Sequence, residues 1–174
     1  MIPFHHRRPG LLGAVLLSSE INAELIADGQ HVSAAAMKLL VRCKGIDRVH
    51  LITDNTIWAG MPNGTYEDLD RTIVKEEDRA YVVGGTLVGS VAPLNHCVAN
   101  MVHLAGCSLQ EAVTMATLNP ATIIGAQDRK ASLAPGKDAD LVVIDKEFEV
   151  YMTMVKGQEV YRANSTAVLD AASC

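Results

Sequence analysis

The spacing of apolar positions predicts two short strands flanking one helix in the first third of the chain. ELIADG (24–29) reads as a buried strand that stops at Asp28-Gly29, and residues 48–53 as a second that stops at Asp54. AAAMKLLVRCK (34–44) has helical periodicity between them, with Ser33 as N-cap and Gly45 as the glycine that closes it. Strand, helix, strand is a βαβ unit, which implies a parallel sheet with a right-handed crossover. His31 follows the first strand and Asp54 ends the second, so both fall on the carboxyl edge of that sheet. Ligand sites of open α/β sheets and of (β/α)8 barrels lie at that edge.

Further along, the pattern changes twice. GMPNGTYEDLD (60–70) is turn-rich, and TIVKEEDRAYVVGG (72–85) predicts a hairpin with strands 72–75 and 80–83, so an inserted hairpin is expected at about 64–85. After TLVGS (86–90), helices are expected over 91–105 and 108–118, the second started by a Ser108/Glu111 capping box. NPATIIG (119–125) predicts a third, short helix with Pro120 at its first position. From residue 138 the period becomes that of strands: 139–145, 150–157 and 159–162, the last two joined by a tight turn at Gly157-Gln158. Residues 11–18 read as a short helix or buried turn, and 163–174 as a disordered tail.

Composition narrows the function. The chain has 174 residues, 49% of them apolar, with a formal net charge of −5. A core-forming acidic chain carries no footprint for nucleic acid. No apolar run reaches the roughly 18–20 residues of a membrane span. The start, with basic residues and then LLGAVLL, imitates a signal peptide, but Pro9-Gly10 interrupts it. Cys43, Cys97, Cys107 and Cys174 lie far apart with no C-x-x-C pair, which points to reduced thiols and a cytoplasmic protein.

Each candidate residue also has a plain structural reading. Asp54 could be a turn residue, since Asp is common after strands, and a lone loop histidine is more often structural than functional. Their occurrence at successive strand ends on one edge is what favours chemistry. Arg7 could be a solvated surface charge, and Gly89-Ser90 only a turn and helix cap. His96 and His103 share a helix face but lack a third ligand, and adjacent His5 and His6 cannot easily chelate one ion.

APGKDADLVVID (134–145) resembles the closing strand of the amidohydrolase superfamily, which returns from the barrel to a small β-sandwich. PFHHRRPG (3–10), IADGQHV (26–32), LITD (51–54), TLVGS (86–90) and MATLNPATIIG (115–125) resemble, in order and spacing, the N-acetylglucosamine-6-phosphate deacetylases. The resemblance covers residues 1–162. It implies an α/β fold: the carboxyl-terminal part of a metal-dependent-hydrolase (β/α)8 barrel over 1–137, plus strands of the β-sandwich over 138–162. It also implies hydrolysis of the acetamide of N-acetylglucosamine 6-phosphate to glucosamine 6-phosphate and acetate, with a divalent metal, most simply zinc, in a homodimeric complete enzyme.

Carried across residue by residue, the resemblance makes Asp54 the catalytic aspartate that moves the proton from the attacking water to the leaving amine. His31 matches the histidine of the ADGxH motif, an N–H donor to the acetyl carbonyl. Arg7 matches the arginine that reaches the 6-phosphate from a neighbouring subunit, where a guanidinium fork suits phosphate oxygens. Thr86, Leu87, Gly89 and Ser90 match the loop that approaches the sugar. The chain departs from the family at Asn55-Thr56, where Ala-Met or Ala is usual, and at Arg8, where Glu is common. A whole barrel takes about 250 residues, and the family's metal ligands would precede Met1. The chain is therefore expected to be a truncated form that releases no acetate alone. Alternatives are a cyclic-amide hydrolase of the same superfamily and a non-catalytic fragment or pseudoenzyme.

Overall fold

The structure, a computed structural model, describes residues 3–164; the expected tail lies outside them beyond Ser165 inclusive, so only Ala163 and Asn164 of it are described. Helix α1 (Gly10–Leu17) precedes strand β1 (Ala23–Ile26), helix α2 (Ala34–Lys44) and strand β2 (Val49–Ile52). α1 is a largely exposed helix: of its residues only Gly13 is buried. α2 starts where Ser33 Oγ accepts from the Ala36 N–H at 3.4 Å, and it ends at Gly45, whose φ of 74° turns the chain away. β1 and β2 pair in parallel, with Ala23 beside Val49 and Ile26 beside Ile52.

Strands β3 (Gly64–Asp68), β4 (Arg71–Glu76) and β5 (Arg79–Val82) form an antiparallel sheet of three strands where a two-stranded hairpin was expected. GTYED reads as turn because Pro62, Asn63 and Gly64 open it. Its strand character comes from its partners: Thr65 and Tyr66 pair with Val74 and Ile73, and the Tyr66 ring stacks on Trp58 at 5.1 Å. Cross-strand and facing contacts, more than intrinsic preference, decide such short segments. Beneath this sheet Trp58, Ile73, Ala80 and Val91 form a small core.

α3 (Leu94–Asn100) widens into a π-type turn over Met101–Ala105 and is followed by α4 (Leu109–Ala116) and α5 (Leu118–Ile123). The expected capping box of α4 is present: Glu111 N–H donates to Ser108 Oγ at 3.2 Å, and Ser108 N–H to Glu111 Oε2 at 2.7 Å. Pro120 is the third residue of α5 and not the first. Its missing N–H costs nothing there, because the first turn of a helix leaves its donors without intrahelical partners. Strands β6 (Leu141–Ile144), β7 (Val150–Val155) and β8 (Gln158–Arg162) make a second antiparallel sheet in that order. The turn between the last two is Lys156-Gly157, one residue earlier than expected, with φ of 50° and 77°. Two successive positive φ values suit a two-residue hairpin whose twist matches its strands.

Alternation along the parallel pair sorts its side chains. Leu25, Ala27, Val49 and Leu51 join Met37 of α2, Cys97 and Met101 near α3, and Met115 of α4 in the main core. Two asparagines tie the pair to the helices: Asn100 Nδ2 donates to Ala27 O at 2.9 Å, and Asn119 Nδ2 to Ile46 O at 2.7 Å and Val49 O at 2.8 Å. Phe148 also lies in this core, and its carbonyl accepts from Asn95 Nδ2 at 3.0 Å, which attaches the second antiparallel sheet to α3. No helix among the described residues is long and apolar enough to cross a membrane.

His50 occupies the opposite face of β2, is 3% exposed, and finds no hydrogen-bond partner among the described residues for either ring nitrogen. Burial lowers its pKa from the ordinary 6.5, Arg48 adding to the effect and Glu24 opposing it. The unfolded chain takes up that proton near 6.5 while the folded chain resists it, so stability falls as pH drops below that value. Replacing His50 by Leu is expected to raise stability by about 1–3 kcal/mol by removing the unpaired polar ring. In urea unfolding the gain is larger at acidic than at alkaline pH; an equal gain at both would contradict this account of the site.

Candidate active site

β1 ends in a loop organised by one carboxylate. Asp28 Oδ1 accepts from the N–H groups of Gln30 and His31, both at 2.9 Å, and Oδ2 lies 2.7 Å from His31 Nδ1. The Asp28 side chain is 1% exposed and that of His31 21%. Burial pushes the Asp28 carboxyl up, but the His31 N–H, the His31 ring and the Gln30 N–H together more than offset it, and the group ionises below its ordinary value. A buried carboxylate with three hydrogen bonds is a fixed negative charge beside a partly open imidazole.

The end of β2 is held differently. Asp54 has a φ of 52°, an uncommon conformation for a residue with a side chain, though Asp tolerates it better than most. Its carbonyl accepts from Ser90 N–H at 3.0 Å, Thr56 N–H donates to Ser90 O at 3.0 Å, and Asn55 and Ser90 form a parallel bridge. The parallel pair is thus extended by the segment around Ser90, which is itself buried and accepts from Ala92 N–H through Oγ at 3.0 Å. Gly89 lies against the Asp54 turn with a φ of +90°. A Cβ there would come 2.8 Å from Asp54 O and from Thr56 Cγ2, and 3.5 Å from Asp54 Oδ2. Only glycine fits both the conformation and the space.

The expected site residues do not all converge. Gly89 and Ser90 meet Asp54, but Thr86 and Leu87 belong to the other end of their loop. Thr86 O accepts from Val82 N–H at 3.0 Å, and Leu87 bridges to Tyr81, so both extend the three-stranded sheet. Arg7 is exposed; its backbone N–H donates to His5 Nδ1 at 3.2 Å, and its guanidinium has no partner among the described residues. His96 and His103 serve the sheet interface, with His96 3.8 Å from Glu149 and the His103 ring edge-on to Phe148.

Asp28 is the participant that motif reading passes over as a turn residue. Its signal was available as an aspartate at a strand end three residues before a histidine, with the Asx-turn bond falling on Gln30 between them. The inserted sheet also reaches this loop, since Gln30 Nε2 donates to Asp78 Oδ2 at 2.6 Å. A cleft of about 410 Å³ opens beside the contact, lined by Asp28, Glu77, Asp78, Pro93, His96 and Asn100 among others.

Chemically, the two strand ends supply a solvent-exposed carboxylate and a charge-supported imidazole, a pair suited to proton transfer and to stabilising negative charge. Burial pushes the Cys97 thiol up to about 11, which makes it a core residue and no nucleophile. The amidohydrolase family is generally metal-dependent. Among the described residues no group of three or more His, Cys, Asp and Glu side chains could hold an ion, and His31 engages one ring nitrogen with Asp28. The described residues alone do not fit a metal.

These features and the sequence place the chain in a known class. The model of the amidohydrolase family matches residues 20–160, and the chain belongs to that family. Within it, the chain resembles amino-sugar-phosphate deacetylases. It is 37% identical over 157 residues to N-acetylglucosamine-6-phosphate deacetylase of Bacillus subtilis, covering 90% of this chain and 40% of the relative. It is 39% identical over 158 residues to N-acetylgalactosamine-6-phosphate deacetylase of Escherichia coli O157:H7, covering 91% and 42%. Its fold matches that of an aspartate-to-alanine variant of the Mycobacterium smegmatis N-acetylglucosamine-6-phosphate deacetylase, solved with N-acetylglucosamine 6-phosphate. There the TM-score is 0.83 and the identity 33%, over 91% of this chain and 42% of the other. The chain spans about two-fifths of the length of these relatives.

Gly89→Ala is expected to destabilise the protein by about 1–3 kcal/mol, because it forces a side chain into a left-handed position against the Asp54 turn. Denaturant midpoints measure this. A loss within experimental error would show that the Asp54 turn does not depend on the close approach.

Proposed function

We propose that this chain carries the proton-transfer and substrate-binding groups for hydrolysis of the acetamide of N-acetylglucosamine 6-phosphate. Asp54 takes a proton from water as its oxygen attacks the acetyl carbonyl. The developing oxyanion accepts a hydrogen bond from Nε2 of the His31 ring in its doubly protonated form. The C–N bond then breaks, Asp54 returns the proton to the departing nitrogen, and glucosamine 6-phosphate and acetate leave. One carboxylate serves both steps because it alternates between its ionised and protonated forms. Arg7, contributed across a homodimer, binds the 6-phosphate, and the backbone at Gly89-Ser90 borders the sugar.

The observation that carries this reading is the placement of His31 and Asp54 at adjacent parallel strand ends, each held by its own network. The relatives' activities support it, as does the solved substrate complex of the Mycobacterium smegmatis protein. A phosphorylated sugar and free thiols at Cys43, Cys97 and Cys107 suit a cytoplasmic setting.

The test is a chimera in which residues 3–162 replace the matching segment of the Bacillus subtilis relative, with acetate release as the readout. Asp54→Asn is expected to lower kcat about 10²–10⁴-fold while moving KM little. Arg7→Ala is expected to raise KM for the phosphorylated sugar with a smaller effect on kcat. An active chimera whose kcat ignores Asp54→Asn would remove the proposed role, and faster turnover of the galacto epimer would reassign the hexosamine.

A further inference from the structure

The Asp28–His31 contact goes beyond holding a loop, because the two oxygens of Asp28 do separate work. Oδ1 takes two backbone N–H groups and shapes the turn. Oδ2, with no backbone partner among the described residues, is left for His31 Nδ1 at 2.7 Å. An ionised carboxylate only accepts hydrogen bonds, so the proton of this contact must sit on Nδ1. The carboxylate is buried and its neighbours hold it ionised, so it cannot offer a proton of its own. No hydrogen bond to Nε2 occurs among the described residues, and the ring is partly open to solvent.

We propose that Asp28 is a positioning residue that fixes the Nδ1–H tautomer of His31 and so dedicates Nε2 to the substrate. In the neutral ring Nε2 accepts, as from a sugar hydroxyl. It donates to an oxyanion or phosphate oxygen only once the ring takes a second proton, with the Asp28 carboxylate 2.7 Å from Nδ1 as the counter-charge. The same histidine in the other tautomer would present a donor permanently and would lose the carboxylate as its counter-charge. The value of this placement rests on the proposal that His31 meets the substrate; the tautomer itself does not.

Asp28→Asn separates the two functions of the carboxylate. The amide oxygen still accepts both backbone N–H groups, while the amide nitrogen faces Nδ1 as a donor and requires it to accept. Long-range 1H–15N correlation spectra of the 15N-labelled full chain at alkaline pH report which ring nitrogen bears the proton. The wild-type His31 is expected to show a protonated Nδ1 and a bare Nε2, and Asp28→Asn to invert that pattern. A wild-type ring protonated on Nε2, an equal mixture, or a variant that keeps Nδ1–H would overturn the proposal. Should Asp28→Asn fail to fold, the wild-type spectrum decides by itself. Because no turnover is read, a chimera indifferent to Asp54→Asn would refute the catalytic reading without altering this result.

Discussion

Ala23 lies beside Val49 and Ile26 beside Ile52 in the parallel pair, so the loops that carry Asp28 and Asp54 both leave the same edge of the sheet, each aspartate two residues beyond the last paired residue of its strand. Sliding β1 by one residue against β2 would turn Leu25 and Ala27 out of the helix-packed core and put Glu24 and Ile26 in their place. The main core therefore specifies the register, and the register specifies where the two carboxylates stand. Asn100 and Asn119 reinforce it from the helix side by binding backbone carbonyls at the end of β1 and the start of β2. Packing and site geometry are in this sense one constraint.

The two strand ends use that placement in opposite ways. Asp28 is buried, hydrogen-bonded through both oxygens and committed to its own loop, whereas Asp54 keeps its carboxylate exposed and, among the described residues, commits only its backbone. A group that must gain and lose a proton belongs in the second arrangement, and a fixed counter-charge in the first. The positive φ of Asp54 and the close approach of Gly89 show local backbone cost concentrated at the same point. Such a cost persists when the surrounding structure holds it in place, here through the Ser90 pairing on one side and β2 on the other.

Local signals in the sequence were sufficient where the determinant is local. Ser33, Gly45 and the Ser108/Glu111 box act within a few residues, so α2 and the start of α4 were legible. The family resemblance likewise pointed correctly to amidohydrolase relatives. What escaped was decided by contacts distant in the chain. β3 needs the Ile73 and Val74 partners, and Tyr66 needs Trp58, before a turn-like segment becomes a strand. TLVGS reads as one loop, yet its first half pairs with β5 and its second with the Asp54 turn. Asp28 was hidden because a turn aspartate and a histidine-orienting aspartate share one spelling.

The central claim is that the loops after β1 and β2 together form one ligand site. Titrating the 15N-labelled chain with glucosamine 6-phosphate and following its amide resonances tests this without requiring turnover. The account predicts saturable shifts shared by His31, Asp54, Gly89 and Ser90, with the outer strands β6–β8 unaffected. Shifts at only one of the two loops, or a response centred elsewhere in the chain, would contradict it.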